Sequence, residues 1–143
     1  MSPLVSADQI TNFIPQRSPF VMIDSLLEQS EKEVLSGFFV KDTNIFVEDG
    51  HFTVSGMLEN IAQTAAANVG YECAKRDIPV PLGFIGAISK VKVFGSPKSE
   101  SDFTTQVTIL QEVFNITLIE GKVIQNGETL VSCQMKIMIQ TSN

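Results

Sequence analysis

One stretch limits what this chain can fold into. Residues 55–76 read S-G-M-L-E-N-I-A-Q-T-A-A-A-N-V-G-Y-E-C-A-K-R, the one segment with the length and composition of a long helix. Ser55 is placed to act as N-cap with Gly56 in the first turn, and Lys75 and Arg76 bring positive charge to the C-terminal end of the dipole. Leu58, Ile61, Ala62, Ala65, Ala66, Val69 and Cys73 recur with the spacing of a broad apolar face. Ala67 and Gly70 keep the other side small, so backbone can approach from almost any direction. Such a helix suits the centre of a fold better than its surface.

The remainder reads mainly as strand. Ser6-Ala7-Asp8-Gln9 has the form of a capping box, which predicts a short helix carrying Ile10, Phe13 and Ile14 and stopped by Pro15. Phe20 to Leu27 is an apolar run expected to form a strand, paired as a hairpin with Glu33 to Lys41. Past the helix, Phe84 to Phe94 predicts a third strand, with Gly86 at a bulge or a close backbone contact. Phe103, Thr105, Val107 and Ile109 alternate with Thr104, Gln106, Thr108 and Leu110. Phe114 to Gln125 leads into Asn126-Gly127, a strong hairpin signal because both central residues of a type I′ turn need positive φ. Val131, Cys133, Met135, Ile137 and Ile139 alternate again. One long helix with about six strands predicts an α+β fold whose antiparallel sheet wraps the helix.

Residues 1–143 are expected to make a single domain, long enough for a core without disulfide or metal staples. The net charge of −6 argues against nucleic acid, whose phosphates call for concentrated basic residues. Two isolated cysteines and one histidine argue against a structural zinc site and suit a reducing cytosol. No apolar run reaches the roughly 18 residues that span a bilayer, and M-S-P-L-V-S-A-D lacks the regions of a signal peptide. A soluble cytoplasmic protein without metal or other cofactor is expected.

Three motifs carry a resemblance. Ile14-Pro15-Gln16-Arg17-Ser18-Pro19-Phe20-Val21-Met22-Ile23-Asp24 resembles the L-P-H-R-x-P-F-L-L-V-D segment of bacterial 3-hydroxyacyl-[acyl-carrier-protein] dehydratases, enzymes of the hot-dog fold. Gly50-His51-Phe52 is similar to their G-H-F motif, and Glu59-Asn60-Ile61-Ala62-Gln63 to their E-A-M-A-Q. Phe84-Ile85-Gly86 resembles the start of their third strand. The matches run in order from residue 14 to about 94. Between histidine and acid the family's loop is longer; here it shrinks to Thr53-Val54-Ser55-Gly56-Met57-Leu58, which resembles a divergent branch from aryl-polyene and flexirubin-type pigment synthesis. The resemblance implies a hot-dog fold with the long helix at its centre. It also implies catalytic roles for His51 and Glu59, and a dimer, with itself or with a related hot-dog subunit, whose site draws histidine from one protomer and acid from the other.

The chemistry needs those residue types. Dehydrating a 3-hydroxyacyl thioester on acyl carrier protein or coenzyme A requires a base at C2 and an acid for the departing C3 hydroxyl. A neutral imidazole, with an ordinary pKa near ~6.5, suits the first task, and a carboxylic acid kept protonated by apolar neighbours suits the second. His51 is the one histidine present. Glu59 stands between Leu58, Ile61 and Ala62. N–H groups near Gly56 and Met57 are candidates to hold the thioester carbonyl. Gln63, one turn after Glu59, either orients that carboxyl or satisfies itself in the core, and Phe84 and Gly86 are candidate substrate contacts. Two alternatives stand beside a dehydratase. One is a non-catalytic dehydratase-like or acyl-binding subunit of a heterodimer; the other is a hot-dog thioesterase in which Glu59 activates water.

Overall fold

The computed structural model describes residues 2–140. Helix α1, Val54–Lys75, lies against a six-stranded antiparallel sheet. Its strands are β1 (Ser25–Gln29), β2 (Glu33–Val40), β5 (Gly83–Val93), β6 (Ser101–Val113), β7 (Ile116–Gln125) and β8 (Glu128–Ile139), in the spatial order β1-β2-β6-β7-β8-β5. A separate two-stranded ribbon, β3 (Val47–Glu48) with β4 (His51–Phe52), stands before the helix. All six strands of the large sheet contact α1, so the sheet wraps it as a hot-dog fold requires. Among the described residues no helix is long and apolar enough to cross a membrane.

Small residues set the closeness of this packing. A Cβ on Gly121 of β7 would collide with the Ile61 side chain, and one on Gly70 would collide with the carbonyl of Phe13. Phe38, Phe52 and Phe103 close the core beside the start of α1, with ring centroids 5.7 to 5.8 Å apart. Asn126 and Gly127 adopt φ of 52° and 78°, so the β7–β8 hairpin turns as expected.

Four expectations are corrected. The capping box at Ser6 does not form: the Ser6 hydroxyl turns to Asp8, and only a 3₁₀ turn, Ile10–Asn12, follows. The N-cap of α1 is Thr53, whose Oγ1 accepts from the Gly56 N–H at 3.3 Å, rather than Ser55. The first strand begins at Ser25, not Phe20. The reason lies in side chains of α1: Gln63 takes the Phe20 carbonyl and the Met22 N–H, and Asn60 takes the Met22 carbonyl, leaving little for a strand partner.

The fourth correction concerns the helix faces. Asn60, Gln63, Thr64 and Asn68 are buried, while Leu58, Ala62, Ala66 and Val69 are only partly so. Most of the buried polar groups are paired. Thr105 donates to Asn60 Oδ1 at 2.5 Å, and the Ser36 and Thr64 hydroxyls share a 2.7 Å bond. Burial of polar side chains is tolerable once their bonds are made. Of the apolar stripe, Ile61, Ala65 and Cys73 are buried as expected, and Ala62, Ala65, Ala66 and Val69 line a cavity.

Candidate active site

Glu59 sits one turn into α1, partly exposed, on the wall of a cavity of about 480 Å³ between the helix and the sheet. The lining is mostly apolar and includes Phe13, Ala62, Ala66, Phe84, Ile119 and Ile137. Gln63 holds the carboxyl in place. Its Nε2 donates to Glu59 Oε1 at 3.0 Å and to the Phe20 carbonyl at 2.8 Å, while its Oε1 accepts from the Met22 N–H at 2.7 Å. Gln63 thus bonds the Glu59 carboxyl and also satisfies its own amide against the backbone of residues 20 and 22. Of the neighbours expected to surround Glu59, Ile61 points instead to the sheet, over Gly121.

His51 owes its position to a tight turn. Asp49 and Gly50 have φ of 51° and 75°, the two positive values of a type I′ hairpin, and join β3 to β4. The Asp49 carbonyl then lies 3.1 Å from His51 Nδ1. A carbonyl only accepts, so this contact is a hydrogen bond when Nδ1 carries the proton, which leaves Nε2 as the basic nitrogen of a neutral ring. The ribbon is anchored by Phe52 N–H to the Pro97 carbonyl and by Ser99 N–H to the Gly50 carbonyl, each 2.8 Å. His51 is exposed and does not line the cavity that Glu59 lines.

The other candidates divide. Phe84 is on the cavity wall, whereas Gly86 is not; Gly86 falls in the β5 bulge between Ile85 and Ala87, where a Cβ would sit 3.2 Å from Met138 Sδ. Gly56 and Met57 are buried, and their N–H groups are engaged with Thr53 Oγ1 and the Thr53 carbonyl. They are not free to receive a thioester oxygen. Among the described residues no three histidine, cysteine or carboxylate side chains converge on a metal position. Sequence reasoning missed Asn60 and Asn68, although 60, 64 and 68 form a visible polar stripe at helical spacing. It also gave little weight to Gln16, which lines the cavity.

The edge of the sheet is conspicuous. β5 pairs only with β8, and all eleven of its residues are exposed. Phe84, Ile85, Ile88, Val91 and Val93 present apolar side chains there, with Phe94 beyond them.

Residues 8–142 match the family model of ApeP-like proteins, described as ApeP dehydratase. The chain belongs to the ApeP-like dehydratase family. As a member it is a hydro-lyase. It is 25% identical over 149 residues to the 3-hydroxyacyl-[acyl-carrier-protein] dehydratase FabZ of Campylobacter lari, covering 95% of this chain and 98% of that one. Its fold is similar to a structure of the dehydratase heterocomplex ApeI:P from Xenorhabdus doucetiae. The TM-score is 0.85 at 18% identity, over 99% of this chain and 93% of the other. A hypothetical thioesterase of Streptococcus pneumoniae, solved with coenzyme A, shares the fold at TM-score 0.66 and 9% identity, over 82% and 85% of the two chains.

Proposed function

We propose that this ApeP-like dehydratase removes water from 3-hydroxyacyl chains carried as thioesters on acyl carrier protein, giving trans-2-enoyl thioesters, with His51 as base and Glu59 as acid. The observation that carries the reading is Glu59, braced by Gln63, at the wall of a largely apolar cavity able to take an acyl chain. His51 Nε2 takes the proton from C2, Glu59 gives a proton to the C3 hydroxyl, the C3–O bond breaks and the C2–C3 double bond forms. Water leaves, and proton exchange resets the two groups. Each acid or base of this kind contributes roughly 10²–10⁴-fold. FabZ enzymes, named for this reaction, resemble the chain over nearly its whole length.

The site is completed across two subunits. His51 is absent from the cavity wall of its own chain, and β5 offers an unpaired, apolar edge. An edge of that kind calls for a cover. A second hot-dog subunit pairing along β5 would supply one and bring a foreign histidine toward Glu59. That subunit is another copy of this chain or a relative, as in the ApeI:P heterocomplex. The cytoplasm is the proposed location.

Incubation with 3-hydroxyacyl thioesters should produce the absorbance of the conjugated enoyl group, lost in His51→Ala and in Glu59→Gln. Absence of turnover on several chain lengths and carriers, with and without a copurifying hot-dog subunit, sinks the proposal. The heterocomplex ApeI:P favours one second reading, a dehydratase-like subunit that completes a partner's site. In that case His51→Ala leaves the activity of the joint complex unchanged.

A further inference from the structure

Helix α1 carries a glycine in its first turn for which the helix itself gives no reason. Glycine is among the weakest helix formers, and Gly56 has ordinary helical backbone, unlike the positive-φ Gly50 and Gly127. What requires glycine there is the space beside it. A Cβ on Gly56 would stand 2.6 Å from Cε1 and Cζ of Phe52 and 2.8 Å from Cβ of Phe46. Carbon atoms in contact sit at roughly 3.5–4.0 Å, so a single methyl group would force a displacement of about 1 Å.

The two residues it would strike are the two legs of the His51 ribbon. Phe46 directly precedes β3 and Phe52 ends β4, and the Thr53 N–H closes the base by donating to the Phe46 carbonyl at 2.9 Å. Neither leg yields freely. The Phe52 ring is fully buried and packs on Phe38 and Phe103. The Phe46 contact is at Cβ, so the main chain of that residue would have to move with it. Nor can α1 back away, because Met57 and Ile61 are fully buried and Ile61 already fills the space over Gly121. The displacement therefore falls on the ribbon. His51, next to Phe52 and on the opposite face of β4, moves with it.

We propose that Gly56 is a positioning residue for the base: its bare α-carbon seats ribbon β3–β4 and, through Phe52, sets where His51 presents Nε2. The proposal rests on the reading of His51 as base. It gives Gly56 a task distinct from binding a thioester oxygen, for which its N–H is already engaged with Thr53 Oγ1. Gly56 precedes Glu59 by less than one turn of the same helix, yet it acts on the histidine and not on the acid.

Steady-state kinetics of Gly56→Ala on a 3-hydroxyacyl thioester, in the native assembly, test this. A misplacement of about 1 Å costs on the order of 10²-fold, so kcat should fall by about that factor with KM little changed. Phe52→Leu removes the ring edge that the methyl meets, and the loosened ribbon should lower kcat by about tenfold. Adding Gly56→Ala to Phe52→Leu should then cost nothing further, because the methyl takes the vacated space and the two effects do not add. An unchanged kcat in Gly56→Ala, or a change confined to KM, overturns the proposal. So does an equal loss from the alanine in both backgrounds, which would place its action on the helix and Glu59. Should Gly56→Ala fail to fold alone, the comparison of Phe52→Leu with the double variant decides: equal kcat supports the seat, and a further fall overturns it. The one histidine also gives a readout free of turnover. Its imidazole NMR signals should move in Gly56→Ala and coincide in Phe52→Leu with and without the alanine; signals unmoved by the alanine overturn the proposal whatever the kinetics. Wild-type protein that turns over no 3-hydroxyacyl thioester overturns the dehydratase reading instead, and the imidazole signals then decide the seat by themselves.

Discussion

Gln63 Nε2 stands 3.0 Å from Glu59 Oε1, and the backbone of residues 20 and 22 fixes which end of the amide faces the acid. The Met22 N–H can only meet the oxygen of Gln63, so the nitrogen must point to Glu59. One carboxyl oxygen is thus occupied as an acceptor, and in the proposed mechanism Oε2 carries the transferable proton. In that mechanism Gln63 positions the acid and does not itself exchange a proton.

Replacing Gln63 with leucine should lower kcat by about tenfold or more while KM changes little, since the acid survives but loses its bearing. Steady-state kinetics on a 3-hydroxyacyl thioester separate the two constants. Stability alone falling, with kcat per folded protein unchanged, would restrict Gln63 to a structural role.

A site shared between subunits makes a sharper forecast. His51→Ala and Glu59→Gln chains should each be inactive as homodimers. Coexpressed under different tags and purified as the mixed dimer, they should recover about half of wild-type activity, because a two-fold dimer has two equivalent sites and one remains intact. No recovery would place both residues of each site on the same chain.

Asn60 anchors the N-terminal segment to the helix and the helix to β6, through the Met22 carbonyl at 2.7 Å and the Thr105 hydroxyl at 2.5 Å. Asn60→Leu strands both partners in the core. A loss of about 2–4 kcal/mol is expected, the sum of two unsatisfied buried groups at about 1–3 each with partial relaxation. Urea denaturation measures it, and an unchanged midpoint would mean that water replaces the amide.

Asp24 supplies a pH dependence. Burial raises its pKa from the ordinary 3.8, opposed by the Phe39 N–H bonded to Oδ2 and by the charge of Lys41. The folded state therefore holds this proton more tightly than the unfolded chain. Stability from this group is fullest below the unfolded pKa and falls as pH rises through the folded one. Asp24→Asn keeps an oxygen for Phe39 and removes the charge. Its Tm advantage over wild type should thus be larger near about pH 7 than near about pH 3; a constant offset would contradict the assignment.

Much of the architecture was legible. The β7–β8 hairpin follows from Asn126-Gly127, and the alternation from Val131 to Met135 buries every second residue. The length of α1 was readable to within about two residues, though Thr53 rather than Ser55 caps it. The start of the first strand was not. Phe20 to Leu27 is apolar enough for a strand, but the distant amides of Asn60 and Gln63 claim its first hydrogen bonds. No local pattern announces a competitor forty residues away.

By itself the sequence determined that one small-sided helix would be wrapped by an antiparallel sheet, and that one imidazole and one acid stood near its start. Periodicity and residue size suffice for this, because they act between neighbours. Tertiary structure decided which face of the helix is buried, since Asn60 and Thr64 turn inward while Ala62, Ala65 and Ala66 line the cavity. It also separated His51 from the cavity that Glu59 lines and left β5 uncovered. Those outcomes depend on hydrogen bonds and packing between segments far apart in the chain, and such partners exist only once the fold has brought them together.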